Sequence, residues 1–134
     1  MPKVKLYIVE DSSVIRENLI DALRESVPVE VVGSAEDERS AIAWLREGAD
    51  ACDLVIVDIF LKAGSGLGVL KAMSDLADAP PRVVLSNHAT PEIRLKCQQL
   101  GALKVFDKSN ELDEMLAWLS RFARSDRGAA ASHS

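Results

Sequence analysis

The 134-residue sequence predicts an α/β protein with an open, doubly wound parallel sheet, and two observations carry that expectation. Short runs rich in Val, Ile and Leu alternate five times with longer amphipathic stretches, and no internal repeat or low-complexity block interrupts them. Three of the short runs are apolar on both faces, as strands covered on both sides must be, because right-handed crossovers place helices on both faces of a parallel sheet.

The predicted strands are Val4 to Val9, Val29 to Ser34, Leu54 to Val57, Arg82 to Leu85 and Lys104 to Phe106. Between and after them run four apolar stripes at helical spacing, each read as core: Ile15, Leu19, Ala22 and Leu23; Ile42 and Leu45; Ile93, Cys97 and Leu100; Leu112, Leu116 and Leu119. Thr90-Pro91-Glu92 has the form of an N-cap, a proline at the first helical position and an acid in the first turn, and Asn110 with Asp113 suggests a similar start. The acidic run Glu36-Asp37-Glu38 reads as a helix start favoured by the helix dipole. Gly64-Ser65-Gly66-Leu67-Gly68 lacks the G-x-G-x-x-G spacing of a dinucleotide site and reads as turn geometry after the third strand. One domain over 1–124 is expected, and 125–134, with little to bury, is expected to be a flexible tail or a truncated linker.

Composition excludes several classes. Sixteen Lys and Arg against 21 Asp and Glu give a net charge of −5, which repels a phosphate backbone, and no aromatic residue interleaves with a basic cluster. Direct nucleic-acid binding is therefore not expected. The longest apolar runs fall far below the roughly 18 residues of a membrane span. The short apolar stretch between Lys5 and Glu10 is no secretory core, so a cytoplasmic location and no membrane partner are expected. Cys52 and Cys97 match no metal or redox spacing and read as buried, reduced thiols. Arg94, Lys96 and Lys104 read as solvated charges.

In an open parallel sheet, ligands bind beyond the carboxyl ends of the strands, so the polar residues that end strands matter most. Glu10 and Asp11 follow the first strand, Asp58 the third, Ser86 the fourth and Lys108 the fifth. Singly, each has an ordinary reading: Asp11 as a helix cap, Asp58 and Ser86 in turns, Lys108 against an exposed acid. Together, three converging carboxylates demand protonation or a cation, and Mg2+, which takes carboxylate, water and phosphate oxygens, is the natural one.

The ordered set resembles the receiver domain of two-component response regulators over about Lys3 to Arg124. The resemblance rests on Val9-Glu10-Asp11-Ser12, on Val57-Asp58-Ile59-Phe60-Leu61 with Gly66 eight residues after Asp58, on Leu85-Ser86, and on Gly101-Ala102 leading to Asp107-Lys108-Ser109. It implies a flavodoxin-like (βα)5 three-layer sandwich with strand order 2-1-3-4-5. By the same resemblance, Asp58 is the phosphoacceptor, Glu10 and Asp11 are the acidic pair around Mg2+, and the backbone carbonyl of Phe60 completes the protein ligands. Lys108 and the Ser86 hydroxyl would serve the phosphoryl oxygens, and the switch would lie in the fourth helix, fifth strand and fifth helix. A sensor histidine kinase or a histidine phosphotransfer protein would be the donor, and a downstream target or an output domain beyond this chain the recipient. The chain would be a monomer or a phosphorylation-linked dimer.

The sequence departs from the family pattern at named places. Val105 stands where a switch aromatic is usual, and Phe106, one step along the strand, points to the opposite face and reads as core. Ser109 and Lys62 stand where proline is common, and Asn87 where a small residue usually follows the hydroxyl. Phe60 and His88 occupy positions that tune phosphoryl lifetime in the family, with His88 also readable as a solvated loop residue. A haloacid-dehalogenase-type phosphohydrolase would need D-x-D, and Asp58-Ile59-Phe60 lacks the second Asp. A pseudo-receiver that binds partners without phosphorylation is the alternative that Val105 and Asn87 keep in view.

Overall fold

The computed structural model of the protein describes residues 3–126. Its five strands are β1 (Val4–Val9), β2 (Val29–Ala35), β3 (Leu54–Val57), β4 (Arg82–Ser86) and β5 (Lys104–Asp107), all parallel and in the order β2-β1-β3-β4-β5. This is the predicted fold and order. β2, β4 and β5 each run one residue further than predicted, because ladder pairing continues to Ala35 opposite Val9 and to Ser86 opposite Asp107.

The helices are α1 (Ser13–Ser26), α2 (Glu38–Gly48), α3 (Gly66–Ser74), α4 (Pro91–Gln99) and α5 (Leu112–Arg121). Alternation along the strands divides the core into two layers. Tyr7, Val9, Val55, Val57, Val84 and Val105 meet Ala41 and Leu45 of α2, Val69, Leu70 and Met73 of α3, and Cys97 of α4. Val4, Leu6, Ile8, Leu54, Ile56, Val83, Leu85 and Phe106 meet Leu19 and Leu23 of α1 and Met115 and Leu119 of α5. Each layer holds one tryptophan against aromatic neighbours: Trp44 stacks on Tyr7 at 3.9 Å, and Trp118 lies 5.3 Å from Phe122 and 6.4 Å from Phe106. Cys52 and Cys97 are buried, and burial pushes both thiols up to about 11.

The structure corrects four local expectations. Ile15 is 38% exposed rather than core; the buried face of α1 is carried by Leu19 and Leu23, further along the helix. The glycine-rich segment is no simple turn: Ser65 caps α3 by accepting from the Leu67 N–H, and Gly66 to Gly68 form the first helical turn. Asn110 does not cap α5; the cap position is Glu111, whose carboxylate is engaged elsewhere. Arg94 is not a solvated charge, although Lys96 and Lys104 are exposed. Its guanidinium donates to the carbonyls of Ala89 (2.8 Å) and Val105 (2.9 Å) and to Glu111 Oε1 (2.6 Å), which also accepts the Asp107 N–H. One side chain thus ties α4 to β5 and to the start of α5.

Two expected helix starts hold. Thr90 caps α4, and Asp37 Oδ1 accepts the Ser40 N–H at the start of α2. Among the described residues no peptide bond is cis, Lys108-Ser109 included, and no helix is long and apolar enough to cross a membrane. The tail expected over 125–134 lies outside the described residues from 127 onward.

Gly66 explains its own place eight residues after Asp58. α3 starts hard against the end of β3, and a Cβ on Gly66 would overlap the Asp58 carbonyl oxygen and sit 2.7 Å from Ile59 Cα. Because those obstacles are backbone, Gly66→Ala is expected to cost about 1–3 kcal/mol in urea unfolding; an unchanged midpoint would remove this account of the glycine. The Arg94 hydrogen bond holds the Glu111 carboxyl below its ordinary 4.5. A depressed carboxyl stabilises the fold above that value and loses the contribution as pH falls through the folded-state value. The stability gap between wild type and Glu111→Gln should therefore be present at neutral pH and close below pH 4.5.

Candidate functional site

The strand order brings the predicted residues to one edge. β1 lies beside β3 with Val9 opposite Val57, so Glu10 and Asp58 leave the sheet side by side, and the Asp58 N–H still donates to the Val9 carbonyl at 2.9 Å. β4 and β5 continue the edge, where the Lys108 N–H donates to the Ser86 carbonyl at 2.9 Å. Glu10, Asp58 and Ser86 are the buried polar residues of the described chain, at 2%, 6% and 0% exposure. That is the signature of a built site, since buried polar groups are costly unless paired.

Lys108 Nζ donates to Glu10 Oε1 and, at 3.0 Å, to Asp58 Oδ2. The remaining carboxylate oxygens are held by backbone: Glu10 Oε2 by the Ser12 N–H (3.1 Å) and Asp58 Oδ1 by the Phe60 N–H (3.1 Å). Asp11, half-buried, accepts the Lys62 N–H on Oδ2 at 2.8 Å. Proline at position 62 has no such donor, so this departure from the family pattern gives Asp11 an added anchor. One carboxylate oxygen from each of Glu10, Asp11 and Asp58 lies within 4.8 Å of the other two. Three hard oxygen donors at that spacing suit a small divalent cation.

Burial raises the Glu10 carboxyl above its ordinary range, outweighing its hydrogen bonds from Lys108 and Ser12. Burial works against the Lys108 ammonium, but its hydrogen bonds to Glu10 and Asp58 and their charges prevail and raise its pKa. Lys108 therefore stays charged at neutral pH, a fixed cation among three acids.

Around this centre, the Ser86 hydroxyl accepts the His88 N–H at 3.3 Å, leaving its own hydrogen free to donate. Phe60 is 48% exposed and meets the edge of His88, with ring centroids 5.4 Å apart. Asn87 and His88 are both exposed, so His88 is a solvated loop residue that also touches Phe60. Val105 and Phe106 point to opposite layers, as alternation requires, and no aromatic occupies the inner face at 105. The structure brings the six residues named from the sequence, Glu10, Asp11, Asp58, Phe60, Ser86 and Lys108, to one edge of the sheet, and adds three supports that the sequence did not show: the Lys62 N–H, the Arg94 clamp and a contact from Glu38 to the loop after β3. The glycines at 64 and 68 were the one signal for the last.

The family model for the response regulator receiver domain matches residues 6–120. A protein-glutamate methylesterase/protein-glutamine glutaminase of Desulfotalea psychrophila is 30% identical over 113 residues, 83% of this chain and 30% of that relative. The chain thus spans about a third of the length of the curated relatives it matches. Among solved structures, the receiver domain of the response regulator NarL from Mycobacterium tuberculosis superposes with a TM-score of 0.79 at 25% identity, covering 93% of this chain and 99% of that one. The phosphorylated cyanobacterial phytochrome response regulator RcpA superposes at 0.76 and 28% identity, covering 93% and 96%. With the fold, the acidic edge and the family match in agreement, this chain belongs to the receiver domains of two-component response regulators.

Proposed function

We propose that this receiver is phosphorylated on Asp58 in a Mg2+-dependent reaction, with a sensor histidine kinase or a histidine phosphotransfer protein as donor. The observation that carries this reading is the buried Asp58 carboxylate, flanked by Glu10 and Asp11 and hydrogen-bonded to the Lys108 ammonium. Phosphoryl transfer asks a protein mainly for positioning and charge neutralisation, and these residues offer both. An Asp58 carboxylate oxygen forms the new O–P bond as the P–N bond to the donor imidazole breaks, and the imidazole leaves with that electron pair. Glu10, Asp11, Asp58 and the Phe60 carbonyl would hold Mg2+, which when bound neutralises charge on the phosphoryl oxygens.

Lys108 keeps its proton throughout and turns from Asp58 toward the incoming phosphoryl oxygens. The Ser86 hydroxyl donates to the same group, a bond that exists only in the phosphorylated state and so biases the segment that follows β4. Arg94 grips Ala89 in that segment and Val105 and Glu111 beyond it, which gives the movement a path to α4, β5 and α5 without a switch aromatic. The domain over 1–124 passes this state to a separate target or to an output domain outside the chain, in the cytoplasm, as a monomer or as a dimer linked to phosphorylation.

Acetyl phosphate with Mg2+ should add one phosphoryl group, read by intact mass, and EDTA or Asp58→Asn should abolish the gain. No gain, together with no binding of beryllofluoride, would overturn the phosphoacceptor reading and leave a partner-binding module. The half-exposed Phe60 ring stands two residues from Asp58, and on the reading that it screens the acceptor, Phe60→Ala should shorten the lifetime of the aspartyl phosphate several-fold as water gains access. An unchanged decay rate would show that the ring does not screen the site.

A further inference from the structure

Glu38 lies at the start of α2, outside the acidic edge, yet it reaches across to the loop between β3 and α3. Its carboxylate Oε1 accepts the Ser65 N–H at 2.8 Å, and its own N–H donates to the Ala63 carbonyl at 3.2 Å. The two flanking glycines make room for it. A Cβ on Gly64, whose φ is +83°, would lie 2.5 Å from the Glu38 Cβ, and one on Gly68 would lie 2.5 Å from Glu38 Oε1.

The loop that Glu38 holds carries much of the site's backbone. Phe60 pairs with Ser65 in an isolated antiparallel bridge, and the Gly66 N–H donates to the Ile59 carbonyl at 2.9 Å. Between those ties, the Phe60 and Lys62 N–H groups rest on Asp58 Oδ1 and Asp11 Oδ2. These two carboxylates are the groups a cation would recruit, so their hold on the loop changes with occupancy. The Glu38 contacts, to Ser65 and Ala63, involve no candidate ligand. They form an anchor that a bound cation would leave intact.

We propose that Glu38 is a positioning residue for the divalent cation: by fixing Ser65 it sets the loop that presents the Phe60 carbonyl and braces Asp11. This rests on the Mg2+ reading given above. A group hydrogen-bonded directly to a metal ligand typically contributes tenfold or more to affinity, and Glu38, which acts through Ser65, stands one step further out.

Calorimetric titration with MgCl2 tests it on wild type, Glu38→Ala, Glu38→Gln, Gly68→Ala and the Glu38→Ala/Gly68→Ala double variant, with melting in EDTA as a check on folding. Glu38→Ala should weaken Mg2+ binding several-fold, up to the roughly tenfold of a direct partner. Glu38→Gln, which keeps an acceptor for the Ser65 N–H but loses the charge, should retain most of the affinity. Gly68→Ala should weaken binding by displacing the carboxylate, and should add nothing once Glu38 is alanine.

An unchanged constant in Glu38→Ala overturns the proposal. So does an equal loss in Glu38→Gln, which would mark a long-range charge effect, and so does full additivity in the double variant. If Glu38→Ala fails to fold, the contrast between Gly68→Ala and Glu38→Gln decides alone. Failure of the wild type to bind Mg2+ would instead remove the metal reading itself, and this inference with it.

Discussion

The Lys108 ammonium, shared between Glu10 and Asp58, is the interaction on which the rest of the site depends. Two carboxylates leave adjacent central strands with almost no solvent access, a placement that repulsion and desolvation both oppose. The compensating charge comes from the far side of the sheet, after β5, so it is in place only when β1, β3, β4 and β5 have assembled in register. Leaving a buried charge unpaired costs about 3–5 kcal/mol, a large share of the stability of an ordinary domain. The fold and the chemistry are thus coupled through one nitrogen.

Around that nitrogen the site is mostly backbone. The N–H groups of Ser12, Phe60 and Lys62 each hold one carboxylate oxygen, so the loops after β1 and β3 are shaped by the acids they surround. The side chains of Phe60 and His88 stand outside, edge to face against each other and largely exposed. The division explains how Lys62, Asn87 and Val105 can depart from the family pattern while Glu10, Asp58, Ser86 and Lys108 keep their places.

The strands and the ends that matter were legible because apolar runs bounded by acids, a hydroxyl and a lysine carry their own signal. The ladder added only one closing residue to each of three strands, Ala35, Ser86 and Asp107. What stayed hidden depended on contacts between residues far apart in the chain. Arg94 reads as one more charge on a polar helix, and only the meeting of α4, β5 and α5 turns it into a clamp. Glu38 reads as dipole complementarity at a helix start, and the glycines opposite it read as a turn, because their reason for being small lies 26 and 30 residues away. Ile15 misled for the converse reason: helical spacing marks a face but not how far along the helix that face is covered.

The separation of the core into two layers has an optical consequence. The chain has two tryptophans, and the sheet stands between them: Trp44 lies on Tyr7 in the α2, α3 and α4 layer, and Trp118 lies among Phe106 and Phe122 in the α1 and α5 layer. Each indole is thus an intrinsic chromophore for one layer alone. Fluorescence excited at the red edge of the indole band, where tyrosine does not absorb, is therefore the sum of two signals, and replacing either indole leaves an emission that reports a single side of the sheet.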